Sequence, residues 1–203
     1  GTGVGKTFAY LLPAIDQIVR NKKRVVVSTH TIALQEQLIQ KDVPFLQAAL
    51  GVEFKAELVK GRQNYLSLRR LKGASTRQKG LFVSAELRSV LHGIEDWAYH
   101  TQDGSRSDLP DEPPWEIWEK IRSEANNCLG RRCRYYEGCF YQASRRRIAN
   151  GQILVCNHAM FFSDLALKGL TTDPQNPGKG GRGILPAYDF AVLDEAHTIE
   201  AVA

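Results

Sequence analysis

The first seven residues, Gly1-Thr2-Gly3-Val4-Gly5-Lys6-Thr7, run straight into a helical repeat of apolar residues at Phe8, Leu11, Leu12, Ile15, Ile18 and Val19. Glycines at that density let a backbone curl until successive N–H groups point inward, and a helix starting at the end of the curl adds its positive dipole end. Such a nest fits phosphate oxygens. Lys6 would reach the terminal phosphates, and the Thr7 hydroxyl would carry Mg²⁺. The plain alternative is a glycine turn with an incidental lysine, but a Gly-Lys-Thr step at a helix start has few other uses. The strict pattern asks for one more glycine ahead of Gly1, so residues are expected upstream.

After this opening the chain reads as alternating strands and helices. Pro13 inside the first helical pattern predicts a kink. Val25, Val26 and Val27 form a short β-branched run of the buried parallel-strand kind, and residues 31–40 read as helix. Asp42 with Pro44 opens another short helix, Gly51 ends it, and Phe54, Ala56 and Leu58 alternate like a strand. Strands alternating with helices predict a parallel α/β sheet. Between residues 83 and 152 no strand signal occurs; Leu87, Val90, Leu91, Ile94 and Trp97 mark one amphipathic helix and residues 115–125 another. Trp97, Trp115 and Trp118 sit at helical positions and read as core. Ile153 to Cys156 restores the strand pattern. A Gly/Pro-rich loop then leads to the strand at Phe190 to Leu193. Residues 1–59 and 151–203 thus form an α/β domain, interrupted by a mostly helical insertion at 60–150.

A phosphate loop needs an acidic partner at the end of a neighbouring strand to hold the metal and polarise water. Residues 189–193 supply the strand, and Asp194-Glu195-Ala196-His197 follows it. Asp194 would hold Mg²⁺, and Glu195 would orient and deprotonate the attacking water. Nucleotide would sit where the two motifs meet, at the carboxyl ends of adjacent strands. The chain stops soon after, so residues are expected downstream as well.

With a phosphate loop of this form, Asp194-Glu195-Ala196-His197 resembles the superfamily 2 helicases, and more specifically the DinG/XPD family of iron–sulfur DNA helicases. Ser28-Thr29-His30-Thr31, with Leu34-Gln35-Glu36-Gln37-Leu38, is similar to the family's backbone-contacting motif. Lys60-Gly61-Arg62 with Asn64-Tyr65-Leu66 matches its approach to the cluster, and Asn157-His158 its strand-end motif. The resemblance implies a RecA-like P-loop NTPase domain that binds ATP and Mg²⁺ and translocates 5′ to 3′ on single-stranded or forked DNA. Thr29, His30, Arg62, Asn64 and Tyr65 are the implied nucleic-acid contacts. Cys128, Cys133 and Cys139 match three ligands of a [4Fe–4S] cluster. The family's first ligand position is held here by Ser67, a harder and more basic donor than a thiolate. Three states compete: a cluster with Ser67 or water as fourth ligand, a three-cysteine zinc or incomplete iron site, or no metal. Cys156 lies in the core strand and reads as a small buried residue. His158 and His197 fall in helicase-like motifs and are not read as zinc ligands. Two alternatives to a motor remain, a nucleotide-switched nucleic-acid-binding module and a DinG-like nuclease.

Composition agrees with a globular chain: 203 residues, 43% hydrophobic, 24% charged, net charge +5. No apolar run approaches the ~18 residues of a membrane span, so no membrane partner is expected. Three of the four cysteines are bunched, which suits a metal site and a reducing compartment better than a disulfide framework. A cytoplasmic location is expected in a bacterium and a nuclear one in a eukaryote. Locally the charge is uneven. Residues 60–79 carry seven cations and no acid, residues 95–119 are strongly acidic, and arginines bracket the cysteines. Basic blocks of this kind suit an anionic partner such as nucleic acid, or are merely solvated faces. Tyr135, Tyr136, Phe140 and Tyr141 among those arginines would stack on unpaired bases or pack the insertion's own core.

Overall fold

The computed structural model describes residues 5–171 and 183–201. Residues 1–4 of the opening loop, and most of the Gly/Pro-rich loop, lie outside them. The chain divides into two compact units, Gly1–Val59 with Arg147–Ala203, and Lys60–Arg146.

The first unit is built on a sheet of four parallel strands in the order β2-β3-β1-β4, a RecA-like α/β fold. Strand β1 (Val25–Thr29) is central, with β3 (Ile153–Asn157) on one side and β4 (Phe190–Leu193) on the other. The short β2 (Ala56–Leu58) pairs with β3. Val27 stands level with both Val155 and Val192, so three strand ends come out together at Thr29, Asn157 and Asp194.

Side chains alternate across the sheet because a strand's period is two. Val25, Val27, Ile153 and Val155 meet Leu11, Ala14, Ile15 and Ile18 of helix α1 (Lys6–Asn21), with Leu38, Val43 and Leu46 beside them. Val26, Leu154 and Cys156 point the other way, to Ile148, Phe161 and Leu185. The valines, leucines, isoleucines and phenylalanine among them each contribute about 1.5–3 kcal/mol when they leave water completely. Strand β4 is the last strand of this order among the described residues. Phe190 and Leu193 are 46% and 40% exposed.

Helix α1 continues through Pro13, whose exposed position places the missing hydrogen bond on the water side. The helix expected at 31–40 is shorter. Helix α2 (Ile32–Gln37) gives way to a π-helical stretch, Leu38–Asp42, before α3 (Val43–Leu50). Pro44 has no N–H to give Gln40 and its ring crowds that carbonyl, so the preceding turn widens. Gly51 ends α3 in the left-handed conformation, φ 64°.

The second unit contains α4 (Leu68–Thr76), α5 (Gln78–Leu81), α6 (Ala85–His100) and α7 (Trp115–Ile121). Helix α8 (Phe140–Asn150) begins in this unit and ends in the other. The core consists of Leu66, Leu71, Phe82, Leu91, Ile94, Ile117, Trp118 and Ile121. Trp118 is buried and donates its indole N–H to the Gln63 carbonyl. Trp97 packs at the rim of this core. Trp115, expected in the core, is 52% exposed, with the Arg122 guanidinium 4.6 Å above its ring. Helix α7 turns its Ile117-Trp118-Ile121 face inward, which leaves Trp115 at the edge. Helix α9 (His158–Thr171) belongs to the first unit, where Asn157 caps it by accepting the Met160 N–H at 2.8 Å. Among the described residues no helix is long and apolar enough to cross a membrane.

Candidate nucleotide site and cysteine pocket

Gly5 adopts φ 72°, a left-handed turn that glycine enters without strain, and α1 starts at the next residue. Lys6 therefore stands at the carboxyl end of the sheet, where β4 delivers Asp194 and Glu195. The Asp194 N–H bonds the Ser28 carbonyl at 2.8 Å, extending the β1–β4 pairing past Leu193. Glu195 then turns left-handed at φ 53°, unusual for a residue with a side chain, and Thr198 holds its carbonyl through both N–H and hydroxyl. That turn brings Glu195 Oε1 to 2.6 Å from Lys6 Nζ. The two groups titrate each other. Lys6 is raised by its hydrogen bond to Glu195 and by that carboxylate's charge, and Glu195 is lowered by the bond and charge of Lys6.

Asp194 Oδ1 accepts the Glu195 N–H at 3.0 Å. Its Oδ2 has two long contacts, to the Tyr10 hydroxyl at 3.4 Å and to the Thr29 hydroxyl at 3.5 Å. Tyr10 is pushed well above its ordinary range, by burial first and then by the Asp194 charge. Sequence reading missed Tyr10, although its place one helical turn past Lys6 puts it on the same face. Thr7, assigned to Mg²⁺, is part-buried in the first turn of α1.

The residues proposed to contact nucleic acid divide into two sets. Thr29 and Tyr65 are buried, with Thr29 facing Asp194 and the Tyr65 hydroxyl 2.7 Å from Ser144 Oγ. Neither presents its side chain on a surface. His30 is exposed, and Asn64 and Arg62 are part-exposed. The Arg62 guanidinium lies 3.9 Å over the Tyr141 ring, and Tyr141 packs edge-on against Tyr65. Behind the nucleotide motifs, Ser28 Oγ lies 2.7 Å from His158 Nδ1 in the buried interior. Burial lowers the His158 pKa, which favours the neutral ring there. Cys156 is fully buried and its thiol is pushed up to about 12, again by burial first, so it remains a packed, protonated thiol. His197 is exposed beside Glu195.

In the second unit Ser67, Cys128, Cys133 and Cys139 line one pocket, together with Glu124, Asn127, Tyr136 and Gln142. Cys133 follows a 3₁₀ turn and Cys139 precedes α8. Cys128 Sγ accepts the Gly130 N–H at 3.5 Å. That bond, against the opposing effect of burial and with help from Arg62 and Arg69, lowers the thiol pKa. The thiols share the pocket without converging. Among the described residues no three His, Cys, Asp or Glu side chains form a metal-holding group. The donor set, three thiols with no histidine, still fits the soft-ligand chemistry of iron–sulfur or zinc at three positions.

The parallel sheet that brings Lys6 to Glu195 is that of a RecA-like α/β domain, and residues 1–86 match the DEAD/DEAH box helicase family. Over its whole length the chain resembles the DinG and YoaA helicases. It is 34% identical over 205 residues to the ATP-dependent DNA helicase YoaA of Escherichia coli (strain K12), an alignment covering 100% of this chain and 30% of that relative. The ATP-dependent helicase DinG of Mycobacterium tuberculosis (strain ATCC 25618 / H37Rv) is 33% identical over 215 residues, 98% of this chain and 30% of the relative. The ATP-dependent DNA helicase DinG of Escherichia coli (strain K12) is 31% identical over 217 residues, 100% of this chain and 28% of the relative. The chain thus spans about three-tenths of the length of these relatives.

Proposed function

We propose that this chain is part of the first motor domain of an ATP-dependent DNA helicase of the DinG type, working in the cytoplasm on single-stranded or forked DNA. The observation that carries the reading is the meeting of Lys6 with Glu195, 189 residues away, at the carboxyl ends of β1 and β4. In this reading Gly1 to Thr7 cradle ATP, and Lys6 exchanges Glu195 for the terminal phosphates. Thr7 and Asp194 hold Mg²⁺. Glu195, released from Lys6, orients water for in-line attack and takes up its proton. Charge developing on the phosphoryl oxygens is neutralised by Lys6, and Mg²⁺ when bound would supply further positive charge there. His30, Arg62 and Asn64 are the exposed groups available to single-stranded DNA. Thr29 and Tyr65 act from inside, positioning Asp194 and Tyr141. Cys128, Cys133 and Cys139, which line one pocket, would hold a metal centre of the iron–sulfur kind. Residues 60–150 form the lobe that separates strands.

The test uses the complete protein on a forked duplex with ATP, beside Lys6→Ala. Unwinding should be present in the parent and at least about 100-fold slower in the variant, the scale of losing one charge-stabilising donor. Duplexes tailed on one strand or the other read the polarity, expected to be 5′ to 3′. Binding without unwinding by the parent, or strands shortened by it, would replace the motor with a switch or a nuclease.

A further inference from the structure

Ser67 occupies the pocket edge where a fourth thiolate would be needed, and its own structural duties explain what it does there. It is the N-cap of α4: its hydroxyl oxygen accepts the Arg70 N–H at 3.4 Å. Its N–H bonds the Ile121 carbonyl at 2.9 Å, and its carbonyl accepts the Leu71 N–H at 2.8 Å. Immediately before it, Tyr65 and Leu66 are bridged to Ser105 and Arg122. The hydroxyl oxygen, N–H and carbonyl of Ser67 thus each hold a bond within the fold, and moving the hydroxyl toward a metal uncaps α4. Glu124, the one carboxylate lining the pocket, is paired with Arg70 at 2.8 Å and Arg122 at 3.3 Å, so it is no free fourth donor. The thiols, by contrast, ride on turns.

We propose that Ser67 is a helix cap and not a ligand, so that the pocket holds an iron–sulfur cluster through Cys128, Cys133 and Cys139 alone and leaves one iron open to a small exogenous ligand. The proposal rests on the metal-holding reading of the pocket given above. An iron without a protein thiolate is the one most easily lost. Oxidation of the cluster by one electron, taken up by an added oxidant such as ferricyanide, releases that iron as Fe²⁺ and leaves a three-iron cluster.

The experiment measures iron, acid-labile sulfide and the electron paramagnetic resonance spectrum of the complete protein, purified without oxygen, as the parent and as Ser67→Ala, Ser67→Asn and Ser67→Cys. Asparagine caps a helix as serine does but has no hydroxyl, so it separates capping from ligation if the alanine variant folds poorly. About four irons and four sulfides per chain are expected in the parent and in Ser67→Asn. Ferricyanide with a ferrous chelator should draw one iron from each of these and give a three-iron signal, while Ser67→Cys retains its iron. Loss of iron in Ser67→Asn alongside retention in the parent and Ser67→Cys would make Ser67 a ligand and overturn the proposal, leaving the metal reading intact. Iron absent from all the proteins, or replaced by zinc, would overturn both.

Discussion

Lys6 and Glu195 hold each other in opposite directions of titration, and the sign of each sets a pH window. The depressed Glu195 contributes only above the ordinary carboxylate range, and its contribution disappears as pH falls through the lowered value. The raised Lys6 contributes below its ordinary pKa and loses that contribution as pH rises through the raised value. Between these limits both groups are charged. In the nucleotide-free protein, NMR titration of the Glu195 carboxyl should therefore show a midpoint below that of an unpaired glutamate. Lys6→Ala should move it upward, and an unmoved midpoint would mean that the ion pair does not persist in solution. Both residues were legible from their motifs, because those motifs are read from local spacing. Their mutual contact was not, since nothing in a chain separation of 189 residues specifies a 2.6 Å distance.

Among the elements, the second unit depends on a close approach that no motif announces. Gly104 has φ 65°, and a Cβ there would collide with the Phe140 ring at the start of α8. Its carbonyl accepts the Leu66 N–H at 2.9 Å, in the segment that also positions Ser67. Gly104→Ala should lower unit stability by about 2–4 kcal/mol, combining left-handed strain with overpacking against an aromatic ring. Chemical denaturation followed by tryptophan fluorescence would measure this through the buried Trp118. A loss below ~1 kcal/mol would mean that the 101–108 loop gives way easily. Helix periodicity did identify α6 and α7, yet it did not distinguish buried Trp118 from exposed Trp115, which lie three residues apart on one helix. The choice depends on where α4 packs.

For the whole molecule, the chain holds a nucleotide-type site and a cysteine pocket in separate units. By resemblance to superfamily 2 motors, hydrolysis needs arginines supplied from a second motor domain. These 203 residues alone are therefore expected to bind Mg²⁺-nucleotide but to show ATP turnover at least about 100-fold below that of the complete protein, whether or not single-stranded DNA is present. A coupled ATPase assay on the isolated chain checks this. Robust DNA-stimulated turnover would show that the chain carries every group the reaction needs.

The phosphate loop, the Asp-Glu step, the parallel α/β class and the helical character of the insertion are local patterns. Glycine density, strand period and helix period each act within a few residues, so the linear chain already encodes them. Packing alone settles other matters: Thr29 and Tyr65 turned inward, Tyr10 brought to Asp194, and the Ser28–His158 contact under the site. Arg24 is the clearest instance. One guanidinium donates to the carbonyls of Ala149, Gly151 and Ala187 at 2.8–2.9 Å, joining segments more than a hundred residues distant at the amino end of the sheet. Nothing in a lone arginine before a valine run marks it for that place. Only the strand order β3-β1-β4 brings those three carbonyls within reach of one side chain, where leaving them unpaired would cost free energy.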